Sequence, residues 1–107
     1  MSTAQLGARR ERMVRDDLIT HGWEPIARSA ASKGPADLVM AHAEHGVALV
    51  QVGSRSKTLG PADRERLCHA AELCSALSLL AIVVPRQPIR YFAVTRETAS
   101  KWQEWAA

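Results

Sequence analysis

The sequence predicts an α/β fold in which a mixed sheet is flanked by helices, and three observations carry that expectation. Helix-period segments open the chain and return in its middle, near residues 3–21 and 61–77. Short apolar runs at 37–41, 47–52, 79–84 and 89–95 have the length of strands rather than helices. A meander of three strands ahead of the middle helix, then a helix crossover to two more, implies a mixed sheet. The expected order is αβββαββ, with an extra C-terminal helix.

The first helix rests on Leu6, Met13, Val14, Leu18 and Ile19 at near-helical spacing, with Gly22 as its stop and Arg9, Arg12 and Asp16 on the exposed face. A first strand follows at 23–29, where Pro25 marks an edge or a strand start. Residues 29–35 are small and polar and read as a loop. The runs 37–41 and 47–52 flank a turn at 42–46, and the second run, with little alternation, reads as a central strand. Pro61 opens the second helix from the first-turn position that proline tolerates, and Leu67, Cys68, Ala71, Cys74 and Leu77 form its apolar stripe. Pro85 closes the strand at 79–84. Thr95 is a possible cap for a terminal helix over 96–105, where Trp102 and Trp105 read as core or dimer packing.

At 107 residues the chain suits a single domain, 1–107, with a core that needs no staples. No apolar run nears the ~20 residues of a membrane span, and the first residues lack a signal-peptide core, so a cytoplasmic protein is expected. Cys68 and Cys74 are separated by ~9 Å of helical rise, too far for a disulfide, and read as reduced, buried thiols. Four scattered histidines make a structural zinc site improbable. The net charge of +3 is modest, but ten of the fourteen basic residues fall within the first 66 positions, and eleven of the fourteen are arginines. Arginine's planar fork suits phosphate, which favours a nucleic-acid partner, although a solvated basic face looks the same.

The candidate chemistry gathers at the two short strands. Antiparallel pairing of 37–41 with 47–52 brings Asp37 beside Gln51 to Gly53, and Glu11 on the first helix could reach the same place. Simpler roles exist for each: Asp37 as a strand start, Glu11 as an i,i+4 partner of Arg15, Gly53 as the glycine of a bulge, Ser29 and Ser32 as turn formers. Gln51, in an otherwise apolar strand, must find hydrogen-bond partners.

Taken together, Gly7-x-x-x-Glu11, Arg28-Ser29-Ala-Ala-Ser32-Lys33-Gly34, Pro35-Ala36-Asp37-Leu38-Val39 and Val50-Gln51-Val52 resemble the archaeal-type Holliday-junction resolvases. Leu59-Gly60-Pro61-Ala62 and Ile89-Arg90-Tyr91-Phe92-Ala93-Val94-Thr95 add to a likeness spanning roughly residues 5–96. These proteins belong to the PD-(D/E)-x-K nuclease superfamily, and the likeness is greatest to small resolvase-like proteins of actinobacterial phages and prophages. The resemblance implies a restriction-endonuclease-like core and a homodimer that acts on branched or double-stranded DNA with Mg²⁺ or Mn²⁺. It implies Asp37, Gln51, the Val52 carbonyl and Glu11 as the metal shell, with Ser32 in the catalytic loop. Phosphate contacts would come from Arg9, Arg10, Arg12, Arg28, Ser29, Lys33, Arg55 and Lys57.

One position departs from the pattern: where the motif has its lysine, this chain has Gly53. Glycine can neither orient a water nor balance charge. Arg55, Lys57 and Lys33 are the candidate substitutes, although arginine, with its pKa above ~12, cannot serve as a base. Three readings follow: an impaired metal-dependent endonuclease, a catalytically silent module that binds branched DNA, or an inactivated form of an active resolvase. An RNA nuclease or a general repair endonuclease would share the same core.

Overall fold

A computed structural model describes residues 3–28, 34–55 and 59–106. Along them run helix α1 (Thr3–Thr20), strands β1 (Trp23–Arg28), β2 (Leu38–His42) and β3 (Gly46–Gly53), and helix α2 (Pro61–Leu73). Strands β4 (Leu77–Ile82) and β5 (Arg90–Ala93), a 3-10 turn (Ala99–Lys101) and strand β6 (Gln103–Trp105) complete the chain. The strands form one sheet in chain order, β1-β2-β3-β4-β5-β6. Every neighbouring pair is antiparallel except β3 and β4, which run parallel across the α2 crossover. The expected mixed sheet flanked by helices is what the chain builds.

Each face of the sheet buries its own core. On one, Val14 and Leu18 of α1 meet Trp23, Met40, Val50, Leu79 and Tyr91. On the other, Leu67, Cys68 and Ala71 of α2 meet Leu49, Leu59, Leu80 and Val94. Because β3 is covered on both sides, its apolar residues show little alternation. The Tyr91 hydroxyl donates to the Asp17 carboxylate at 2.7 Å and ties α1 to β5. Burial, and then that carboxylate, push the phenol's pKa well above its ordinary range.

Tertiary packing overrides the sequence pattern in three places. Helix α2 stops at Leu73 because Ser75 enters the left-handed region at φ 53°. The Ser75 N–H then donates to the Glu72 carbonyl and the Ala76 N–H to the Ala71 carbonyl, the pair of bonds that closes a Schellman motif. Glycine usually fills that position, and here the serine carries no stop signal. Leu77 therefore starts β4, and Cys74 lies exposed at the helix end. Both cysteines are free thiols, but only Cys68 is buried.

The second correction is the C-terminal helix, which does not form. The Arg96 guanidinium forks between Glu65 and Glu72 of α2, and Thr95 Oγ1 accepts the Glu97 N–H in a turn. The chain then returns as β6, pairing Tyr91 with Trp105, Phe92 with Glu104 and Ala93 with Gln103. Without β6 the backbone of β5 would be an open sheet edge. An Arg90–Glu104 ion pair at 2.7 Å spans the two strands, and Trp105 packs edge-on against Trp23 at 5.8 Å between ring centroids. Trp102 packs at the margin of the α2-side core, and its indole N–H donates to the Glu97 carbonyl.

The third correction is on α1. Only Val14 and Leu18 of its expected stripe are buried, while Leu6, Met13 and Ile19 are 37%, 41% and 45% exposed. Among the described residues no helix is long and apolar enough to cross a membrane.

Candidate functional site

The β2–β3 hairpin positions the centre of the site. Gly46, at φ +78°, supplies the left-handed residue of the turn, and His42 Nδ1 accepts the N–H groups of Glu44 and His45. The resulting register pairs His42 with Gly46, Met40 with Ala48 and Leu38 with Val50. Asp37, one residue ahead of β2, therefore falls beside the last residues of β3. Its N–H donates to the Val50 carbonyl at 2.9 Å, and its Oδ2 accepts the Val52 N–H at 2.8 Å. The carboxylate is thus held by the strand it faces, as the sequence predicts.

Gln51 solves its burial locally. Its Nε2 donates to the Pro35 carbonyl at 2.7 Å. A carbonyl can only accept, so the amide NH₂ must face Pro35, and Oε1 remains as an acceptor.

Glu11 enters from α1. It lines one hollow of about 240 Å³ together with Asp37, Gln51 and Val52. Burial raises the Glu11 pKa, the neighbouring Asp37 carboxylate raises it further, and Arg28 opposes both. The folded chain therefore holds a proton on Glu11 more tightly than the unfolded chain does. Stability from this group is full below the ordinary glutamate range and is lost as pH rises through the raised value. Glu11→Gln should accordingly raise the melting temperature at pH 7. The gain should shrink toward zero as melts are repeated down to pH 4, and a pH-independent difference would contradict the sign of the shift.

Two crowded carboxylates and a free amide oxygen are hard donors, and their mutual repulsion is the kind a divalent cation relieves. The set fits Mg²⁺ or Mn²⁺, which bind through one or two carboxylates and keep several waters. Among the described residues no three His, Cys, Asp or Glu side chains gather at a metal-binding distance, so such an ion would depend on the neutral donors as well.

Gly53 is the last residue of β3, buried and paired with Ile82, and its carbonyl accepts the Val83 N–H at 2.8 Å. The β3–β4 register runs unbroken through it, so it is not a bulge. Strand alternation puts it on the same face as Gln51.

The arginines flank this centre. Arg12, Arg15 and Arg28 line a hollow of about 170 Å³ between α1 and β1 that Glu11 also borders. Arg9, Arg10 and Arg55 line a larger groove on the other flank. Arg15 pairs with Asp16 at 3.1 Å rather than with Glu11. Ser29, Ser32, Lys33 and Lys57 lie outside the described residues. Asp63 and Arg66 of α2 line the central hollow, as does Arg10. The first two were not singled out from sequence, and their i,i+3 spacing behind Pro61 was the available signal.

No protein-family model matches the chain, and neither does any curated protein. Among solved structures it is similar to Archaeoglobus fulgidus Hjc, a Holliday junction resolvase from an archaeal hyperthermophile. The two are 26% identical with a TM-score of 0.69, over 81% of this chain and 76% of that one. The chain has a resolvase-type nuclease fold. Within that fold the hairpin carrying Asp37 and Gln51, the helix carrying Glu11 and the parallel β3–β4 pair surround one acidic hollow with cationic flanks.

Proposed function

We propose that this chain is a resolvase-type protein that binds branched DNA and carries an impaired, metal-dependent endonuclease site. The observation that carries the reading is Asp37. It sits at the mouth of the β2–β3 hairpin, fixed by the Val52 N–H and sharing its hollow with Glu11 and Gln51. Asp37, Gln51, the Val52 carbonyl and Glu11 would hold Mg²⁺ or Mn²⁺, and such an ion would polarise the scissile phosphate and acidify an attacking water.

The remaining work falls to the chain. Arginines on both flanks of the hollow suit a DNA strand laid across it, bound through phosphates and shape rather than base edges. Arg10 and Arg66 bring positive charge into the hollow itself. A residue that orients the water is missing at Gly53, and this favours the second reading, a silent branched-DNA-binding module. A four-way junction has two symmetric scissile positions, so a two-fold homodimer would present one site to each.

A four-way junction and a linear duplex, each with and without Mg²⁺, should be scored separately for binding and for cleavage. Preference for the junction is expected, with cleavage slow or undetectable. Affinity should fall steeply with salt, each neutralised phosphate contributing about −0.9 to the log–log slope on duplex DNA. Replacing Arg9, Arg12 and Arg55 together by Ala should flatten that slope by up to about 2.7. A slope near zero in the unmodified protein would remove nucleic acid as the partner.

A further inference from the structure

The groove beside the acidic hollow is larger than the hollow, and its floor has no part in the site described above. It encloses about 570 Å³, against about 240 Å³ for the hollow, and falls within the range of small-ligand clefts. Its floor is apolar: Leu6 and Met13, two of the three α1 stripe residues that the core leaves exposed, face Val84 and Pro85 beyond the end of β4. Its rim is cationic, with Arg9, Arg10, Arg55 and Arg86, and no carboxylate lines it among the described residues. None of these four arginines forms an ion pair among the described residues, whereas Arg15, Arg90 and Arg96 all do.

Arg86 stands out further. Val84, Pro85, Arg86 and Gln87 form a turn in which the Gln87 N–H donates to the Val84 carbonyl at 3.2 Å. Pro85 occupies the second position and Arg86 the third, at φ 64°. Turns of this pattern favour glycine there, because a side chain is strained in the left-handed region. The chain instead holds a guanidinium at that point, on the rim of the groove. Residues held in such conformations cluster at ligand sites.

We infer that this groove receives an unpaired nucleotide of the bound DNA, its base against Leu6, Met13, Val84 and Pro85 and its phosphates on the arginine rim. The inference rests on the branched-DNA reading above and adds to it a discrete pocket for a nucleotide at or near the branch. Apolar side chains and guanidinium planes together accept an unstacked base and its phosphates. The location agrees: the groove lies beyond the carboxyl ends of the parallel strands β3 and β4, where sheets of this kind bind ligands. Arg10 borders both the groove and the acidic hollow, so a strand crossing the hollow can continue into it. A second copy of the chain is a poor occupant, since two-fold pairing would set one arginine rim against another.

The test compares junctions that differ at one position near the branch, carrying either one extra unpaired nucleotide or an abasic residue there. Anisotropy titrations of the full chain should show about tenfold tighter binding to the nucleotide form. Met13→Glu, a charge placed on the exposed floor, and Arg86→Gly should each remove that preference. Arg86→Gly should do so with an unchanged or higher melting temperature, because glycine relieves the backbone; a merely structural Arg86 would give no loss of preference. Equal affinity for the two junctions, with junction binding otherwise intact, would overturn the groove and leave the branched-DNA reading standing. Loss of all DNA binding in the unmodified chain would overturn both. An acidic amphipathic peptide that binds the unmodified chain and not Met13→Glu, with no nucleotide preference on DNA, would reassign the groove to a protein partner.

Discussion

Gly53→Lys is expected to raise junction cleavage by about 10²–10³, the cost typical of losing one preorganised donor at a developing charge, or ~3–4 kcal/mol. In-line attack on a phosphodiester accumulates negative charge on the phosphoryl oxygens and needs an oriented water, and metal and lysine share that work in PD-(D/E)-x-K sites. The backbone at position 53 allows the replacement. It is extended strand paired with Ile82, not a left-handed glycine, and it shares a face with Gln51, so a lysine there adds no backbone strain. Junction affinity should stay nearly constant, which separates rate from binding. If the variant folds and binds yet never cleaves, the silent-module reading prevails. If the unmodified chain already cleaves at full rate, another cation acts. Arg10 and Arg66 border the hollow, while Arg55 borders the neighbouring groove, so Arg10→Ala and Arg66→Ala come first among the single variants and Lys33 and Lys57 next.

Asp37→Asn is expected to weaken Mn²⁺ or Mg²⁺ binding by about tenfold or more in titration calorimetry. Affinity in such sites follows the charge of the ligands, and the proposed shell already includes a neutral Gln51. The substitution is otherwise mild. An asparagine carbonyl can still accept the Val52 N–H, so the hairpin contact survives. It also removes the carboxylate repulsion that adds to burial in raising the Glu11 pKa, so the fold should not suffer. Equal metal affinity in Asp37→Asn and the parent would count decisively against this hollow as the metal site.

The meeting of Asp37 with Gln51 and Val52 was legible in the sequence, because it depends on short-range rules. A tight turn at 42–46 between two strand-length runs sets an antiparallel register, and the register dictates which residues face each other. The mixed sheet followed from the same arithmetic, since a helix between two strands imposes a parallel pair. Glu11 was only a candidate. It lies 26 residues ahead of Asp37, and nothing local states how α1 lies on the sheet. The packing of Val14 and Leu18, with the Tyr91–Asp17 bond, decides that.

The sequence by itself therefore determined the order of the central elements and the hairpin, each a matter of residues close together in the chain. Tertiary structure alone decided the rest. Residues 96–105 have a helix-compatible pattern, but an open β5 edge and the carboxylates of α2 draw them into a turn and a strand. Leu6 and Met13 keep the helical period of core residues, and only the docked helix shows them outside the core, lining a groove with Arg9 and Arg10 of the same helix and with Arg55 and Arg86 from two other parts of the chain. The reason is physical: periodicity records which residues share a face of an element, whereas the neighbours of that face are set by contacts between residues far apart in sequence.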